Sequence, residues 1–276
     1  VIVPEIVHYF FSTVLDGIQQ EAESKGYNLL ITHSNEDYER EVRSVETLLD
    51  ARVCGILISQ SKTTVKYDHF QDIIDNNVHL LFFDRICTGI NTDKVVVDDY
   101  AGAFNAVEHI INTGCRNIAF LGSVPTMPIS NNRRMGYEDA LRKNKMKIDK
   151  KYIEICDTVD LAKKVIPEML KLDPVPDAFF CINDEVAAFC IQIVKSYGFR
   201  VPEDISVCGF TSSYITEVTY PRLTSVDQNG FEMGKAAARL LINRIEGKEV
   251  KEGVVSRVIK TELIIKESTK QLQTFA

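Results

Sequence analysis

At 276 residues the chain exceeds the usual span of one compact domain, so two domains of shared architecture are the first expectation. Its 45% apolar fraction is ordinary for a soluble globular protein, and no apolar run nears the roughly 20 residues that cross a bilayer, which argues against membrane insertion. Acidic residues outnumber basic ones, 39 to 32, for a net charge of −7, so these residues by themselves lack the cationic surplus that gripping DNA requires.

Short β-branched runs alternate with amphipathic helical stretches from end to end, the pattern of a parallel sheet with helices on both faces. VIVP reads as a first strand, and residues 10 to 25 put Phe10, Phe11, Val14, Leu15, Ile18 and Ala22 on one helical face. YNLLIT follows as a strand, then Asn35 or Asp37 caps a helix striped by Val42, Val45, Leu48 and Leu49. GILIS, a helix over 66 to 76 and HLLFFD complete a first doubly wound unit, and VVVDD opens onto a helix over 100 to 113. The alternation restarts at NIAFLGS and runs through a helix at 131 to 144, YIEIC, a helix at 160 to 172, AFFCI, a helix at 184 to 197, and ISVCGF. Two like units in tandem are the simplest account. SVDQ is too short to begin a third; one helix carrying Phe231, Ala237, Leu240, Leu241 and Ile245 and two strands, at 254 to 259 and 262 to 266, end the pattern. Periodicity does not say which unit these last elements join.

Seven cysteines, an odd number without a CxxC pair, fall mostly inside apolar runs and read as reduced core residues, which suits a cytoplasmic setting. No GxGxxG follows a strand, and Gly230 to Lys235 has neither the spacing nor the Ser/Thr of a phosphate loop. GxSxG and HExxH are absent, and His8, His33, His69, His79 and His109 never fall at metal-ligand spacing, so each reads first as a surface or strand-end residue. No enzyme activity, cofactor or metal is expected.

FRVPEDISVCGF at 199 to 210, YPRLTSVDQ at 220 to 228 and TELIIKEST at 261 to 269 together resemble the effector-binding core of the LacI/GalR family of bacterial transcriptional regulators, and the likeness covers nearly the whole chain. The resemblance implies an α/β fold of two doubly wound parallel-sheet lobes joined by three crossover strands, like the type I periplasmic binding proteins. It assigns 1–114 plus 229–253 to an N-terminal lobe and 115–228 plus 254–276 to a C-terminal lobe, with the ligand in the cleft between them. It further implies a sugar or sugar acid as effector and a homodimer. Operator DNA is then bound only through an N-terminal helix-turn-helix domain absent from this chain, whose abrupt start at VIVPE reads as a truncation. The main alternative is a periplasmic sugar-binding protein of a transporter, which shares the fold; the odd cysteines, the missing signal peptide and the TELIIKEST ending weigh against it. A small-molecule enzyme on a doubly wound fold is the other.

In open α/β sheets a ligand sits outside the carboxyl ends of the strands, which selects the candidate residues. His8, Phe10 and Phe11 lie at the first loop-to-helix entry, where family members commonly set aromatics against a ligand; the two phenylalanines read equally as the start of a core stripe. RRMGYEDAL at 133 to 141 resembles the family's RxxGYxxAL, which implies that Arg133 reaches the cleft, where paired donors suit vicinal hydroxyls or a carboxylate. CINDEVA resembles the family's AND motif: Asn183 suits a polyol, and Asp184 reads equally as ligand contact or helix cap. Asp84 and Arg85 in FFDR match a further signature, as ligand contact or as organisers of the cleft floor. Where the family usually has GFDD this chain has Gly209, Phe210, Thr211 and Ser212, so Thr211 replaces a charged acceptor and the pocket is less acidic, open to a carboxylated sugar. Thr158 stands where relatives often carry a stacking aromatic, and Gln228 faces either ligand or hinge.

Overall fold

The apolar runs resolve into twelve strands and nine α-helices in the computed structural model, which describes residues 1–125, 127–248 and 253–271. In chain order these are β1 (Ile2–Val3), α1 (Tyr9–Ser24), β2 (Thr32–His33), α2 (Tyr38–Asp50), β3 (Gly55–Ile58), α3 (Asp68–Asp75), β4 (His79–Phe83) and β5 (Asp93–Val97). There follow α4 (Asp99–Asn112), β6 (Ile118–Gly122), α5 (Pro128–Lys143), β7 (Ile153–Ile155), α6 (Val159–Met169), β8 (Ala178–Cys181), α7 (Asp184–Ser196), β9 (Ser206–Thr211) and α8 (Ile215–Val218). The last are β10 (Thr224–Asp227), α9 (Gly230–Ile245), β11 (Ser256–Ile259) and β12 (Glu262–Ile264).

The chain divides into two units, Val1–Val97 with Asn229–Ile259 and Asp98–Gln228 with Lys260–Ala276. The first holds a sheet in the order β2-β1-β3-β4-β5-β11, the second a sheet in the order β7-β6-β8-β9-β10-β12. All pairings are parallel except β10 with β12. Alternation along the strands feeds both faces of each sheet. In the first unit Leu57, Leu81 and Val95 pack against α1 and α9, while Ile56, Ile58, Leu80 and Phe82 pack against α2 and α3. In the second, Phe120, Phe180 and Phe210 meet α4 and α5, and Leu121, Phe179 and Val207 meet α6 and α7. Helices α1 and α9 approach so closely that a β-carbon on Gly17 would collide with the Phe231 carbonyl and one on Gly234 with the Val14 carbonyl.

Two assignments differ from the sequence reading. The helix expected at 100 to 113 in the N-terminal lobe is α4 of the second unit, because its stripe Ala103, Ala106, Val107 and Ile110 is buried with Phe120, Tyr137 and Phe180. The strand expected at 254 to 259 in the C-terminal lobe is β11, which pairs Ser256–Ile259 with Lys94–Val97 of β5 and so extends the first sheet. The lobe boundaries therefore fall at 97/98, 228/229 and 259/260 rather than at 114/115 and 253/254. YNLLIT also contributes less strand than its composition suggests: only Thr32–His33 is laddered, and Leu30 and Ile31 are exposed at the sheet edge. The single-turn helix α8 carries no periodic signal and was not expected.

Candidate functional site

In the second unit the carboxyl ends of five parallel strands supply one side chain each: Ser123 after β6, Asp157 after β7, Asn183 after β8, Thr211 at the end of β9 and Gln228 after β10. Several are bonded to one another. Ser123 donates its hydroxyl to Asp157 Oδ2 at 2.5 Å, and Asn183 Nδ2 donates to the Asp157 carbonyl at 3.0 Å. Thr211 Oγ1 donates to Gln228 Oε1 at 3.1 Å, and both residues are buried. Thr211 and Ser212 both carry positive φ, 131° and 58°, a turn that costs non-glycine residues of order 1–3 kcal/mol each. The Ser212 N–H is held there by Ser225 Oγ at 3.0 Å.

Arg133, on α5, is 5% exposed and fully organised by its own unit. Its Nε donates to Asp99 Oδ1 at 2.7 Å, Nη1 donates to the Ile182 carbonyl at 2.6 Å, and the guanidinium lies 3.6 Å from the Phe210 ring centroid. Burial pushes the Asp99 carboxyl above its ordinary range, and the charge and hydrogen bond of Arg133 pull it back. Asp99 had no signal in the sequence beyond its place at a helix start.

Of the Asn–Asp pair, Asn183 and not Asp184 takes the capping role read from the sequence as one alternative for Asp184. Asn183 is the cap of α7, accepting from the Val186 N–H at 2.8 Å, whereas Asp184 is buried beneath the edge. Asp184 accepts from the Ser225 hydroxyl at 2.5 Å and the Ser213 N–H at 2.6 Å. Burial raises its pKa, with those two bonds opposing the shift. Thr158 is exposed and caps α6, accepting from the Leu161 N–H at 3.3 Å.

In the first unit Phe10 and Phe11 are both buried in the core, ring centroids 5.4 Å apart, which puts both on the stripe side of the alternatives read from the sequence. His8 occupies the N-cap position of α1 without a side-chain capping bond, its ring 5.8 Å from Phe11. Asp84 is buried just past β4 with φ 57°, and Arg85 crosses to Glu36 at 2.6 Å while lying 5.6 Å from the Phe11 ring. Glu36 also accepts from the Lys62 N–H at 2.8 Å. Fully buried Glu41 accepts from the Ser61 N–H at 2.7 Å and the Thr64 hydroxyl at 2.6 Å, and pairs with His69 Nε2 at 3.0 Å. His69 and His109 are therefore buried, not surface, histidines. Ser34 after β2 and Ser59 after β3 are completely buried, and neither hydroxyl has a partner among the described residues. Their strand-end positions were the signal that could have found them.

Both edges present hydrogen-bonding groups rather than reactive ones, and no cluster among the described residues could hold a metal ion. Two open α/β units, each with a polar carboxyl edge, define a small-molecule-binding core. Residues 107–269 match the family described as Periplasmic binding protein-like domain. The chain is 30% identical over 273 residues to the HTH-type transcriptional repressor CytR of Escherichia coli K12, covering 99% of this chain and 79% of that protein. It is 28% identical to Catabolite control protein A of Priestia megaterium over 98% of this chain and 81% of the relative. Among solved structures, a transcriptional regulator CelR–cellobiose complex matches with a TM-score of 0.86 and 26% identity over 97% of this chain and 83% of that one. CcpA of Lactococcus lactis shares the fold, with a TM-score of 0.88 and 23% identity over 98% of both chains. The chain belongs to the LacI/GalR family of transcriptional regulators, and these residues form its effector-binding core. Regulators of this family bind small-molecule effectors and operator DNA and are generally dimeric. No helix among the described residues is long and apolar enough to cross a membrane.

Proposed function

We propose that the carboxyl edges of the two sheets take up a sugar-like effector through His8, Asp84, Arg133, Asn183, Thr211 and Gln228, together with Ser34, Ser59, Ser123 and Asp157. Phe10, Phe11 and Asp184 support the edges from beneath, and Thr158 holds the start of α6 beside the second edge. The observation that carries this reading is the convergence of one hydrogen-bonding side chain from each of β6 to β10, next to an arginine already held in place, since prepaid ordering favours binding of a polar ligand. The cellobiose complex of the 26% identical CelR supports a saccharide, and Thr211 in place of an acid leaves room for a sugar acid. Binding selects one arrangement of the two units among those that three chain connections allow, and a homodimer passes that choice to helix-turn-helix heads outside these residues. The net charge of −7 fits that division of labour. The ligand is returned unchanged, without catalysis. The site of action is the cytoplasm, in keeping with seven free thiols, six of them buried.

Calorimetric titration with cellobiose, a set of neutral mono- and disaccharides and the matching uronic acids tests the reading. Expected is saturable binding of at least one, weakened at least tenfold by Asn183→Ala, with the sugar recovered intact. Heat from none of them, or conversion of the sugar, overturns it. Thr211→Asp should move preference from acidic toward neutral sugars.

A further inference from the structure

At the opposite, amino end of the second sheet lies a cavity of about 250 Å³. Its walls are apolar: Ile118, Leu141, Met146 and Pro174 with the rings of Tyr137 and Tyr152. Both phenols are already satisfied, Tyr137 donating to the Ile118 carbonyl at 2.8 Å and Tyr152 to the Pro174 carbonyl at 2.7 Å, and both side chains are buried, so the rings back the walls without offering polar groups to whatever enters. Its polar rim is cationic. Arg116, Lys147 and Lys151 line it against one acid, Asp149, on a chain whose overall charge is −7.

The rim cations differ in what they have left to give. Lys151 Nζ donates to the Asp173 carbonyl at 2.5 Å, and its N–H to Asp149 Oδ1 at 3.2 Å. Arg116 anchors through Nη1 to the Ile111 and Cys115 carbonyls at 3.0 and 2.8 Å, which fixes the guanidinium plane while leaving Nε and Nη2 without partners among the described residues. The nearby Asp177 carboxylate is committed to the Arg116 and Asn117 N–H groups at 2.7 and 2.8 Å, so it does not pair with that guanidinium. Lys147 is exposed and makes no ion pair among the described residues. A fixed arginine fork and a free ammonium over apolar walls are the donors that a carboxylate or phosphate on a ring-sized body would use.

We propose that this cavity is a second ligand site, for a small organic anion that combines one carboxylate or phosphate with an apolar ring. It is separate from the effector edge: Asn117 and Ser123 flank the five-residue β6, and at about 3.3 Å per residue they lie roughly 20 Å apart along the strand. The inference does not rest on the effector reading, since no residue is shared.

Phenyl phosphate is the probe, titrated calorimetrically into the whole protein beside inorganic phosphate and benzyl alcohol. Phenyl phosphate is expected to bind at least tenfold more tightly than either control and to weaken as salt is raised. Arg116→Ala and Lys147→Glu should each weaken it at least fivefold, and Lys163→Glu, a matched charge reversal on the exposed side of α6, should not. Circular dichroism melting of each variant keeps folding separate from binding, and Lys147→Glu alters only an exposed side chain. Binding that survives both rim substitutions, or affinities equal among the three compounds, overturns the proposal.

Discussion

The two carboxyl edges share a strand order but settle their polar groups in different ways. In the second unit the groups partner one another: Asp157 takes Ser123 and Asn183, Gln228 takes Thr211, Asp99 takes Arg133, and Asp184 takes Ser225 and Ser213. In the first, two acids are spent on tying down the loop after β3, Glu36 through Lys62 and Glu41 through Ser61, Thr64 and His69, and the hydroxyls of Ser34 and Ser59 are left over. The second edge is organised in advance apart from the Ser213 hydroxyl, whereas the first retains unmet capacity at two strand ends. Because a buried unmade hydrogen bond costs about 1–3 kcal/mol, a ligand that satisfies the serines recovers part of that cost.

The contrast can be broken by substitution. The largest effect is expected for Arg133→Ala, which strands a buried acid and the Ile182 carbonyl; loss of one partner of a buried pair costs about 3–5 kcal/mol, read from urea unfolding. A loss below about 1 kcal/mol, the worth of a surface ion pair, would mean that the Asp99 pair does not organise the second edge. Glu41→Ala deprives three groups at once and should cost about 2–4 kcal/mol, with faster amide exchange at Ser61 as the local signature. Asp184→Asn sharpens the comparison through pH. Burial holds the Asp184 pKa above its ordinary value, so the native state binds the proton more tightly and stability falls as pH rises from the usual carboxylate range through the folded pKa. Asparagine removes that slope, so a cost of about 1–2 kcal/mol at low pH should shrink by pH 8; a cost that grows with pH would reverse the sign of the argument. Thr158→Ala should remove about 1 kcal/mol as the loss of a helix cap. Equally small and opposite in sign is Ser59→Ala, expected to raise stability by about 1 kcal/mol, the low end of the penalty for an unmade hydrogen bond, because its hydroxyl has no partner among the described residues, while sugar binding weakens.

Much of this was legible from residues near in sequence. VIVP, GILIS, HLLFFD, NIAFLGS, AFFCI and ISVCGF all became strands, and Asp37 caps α2 as its position suggested. Strand-end placement also brought Asn183, Thr211 and Gln228 to one edge. What it missed has a common form. Asp99 meets Arg133 across 34 residues, Glu41 meets His69 across 28, and Ser225 meets Asp184 across 41. The cap of α7 fell to Asn183 and not Asp184 because an adjacent pair at a helix start differs only in which residue keeps extended backbone, and that depends on what β8 delivers it to.

Taken alone, the order of amino acids determined the alternation of strands and helices, the buried stripe of each helix and the family motifs, since each is written in spacings of a few residues. Only the folded chain decided that α4 joins the second unit and β11 the first, and which buried charges find partners. A stripe declares that a face will be covered but not by what, and a carboxylate carries no mark of the arginine or hydroxyl that strand order sets beside it.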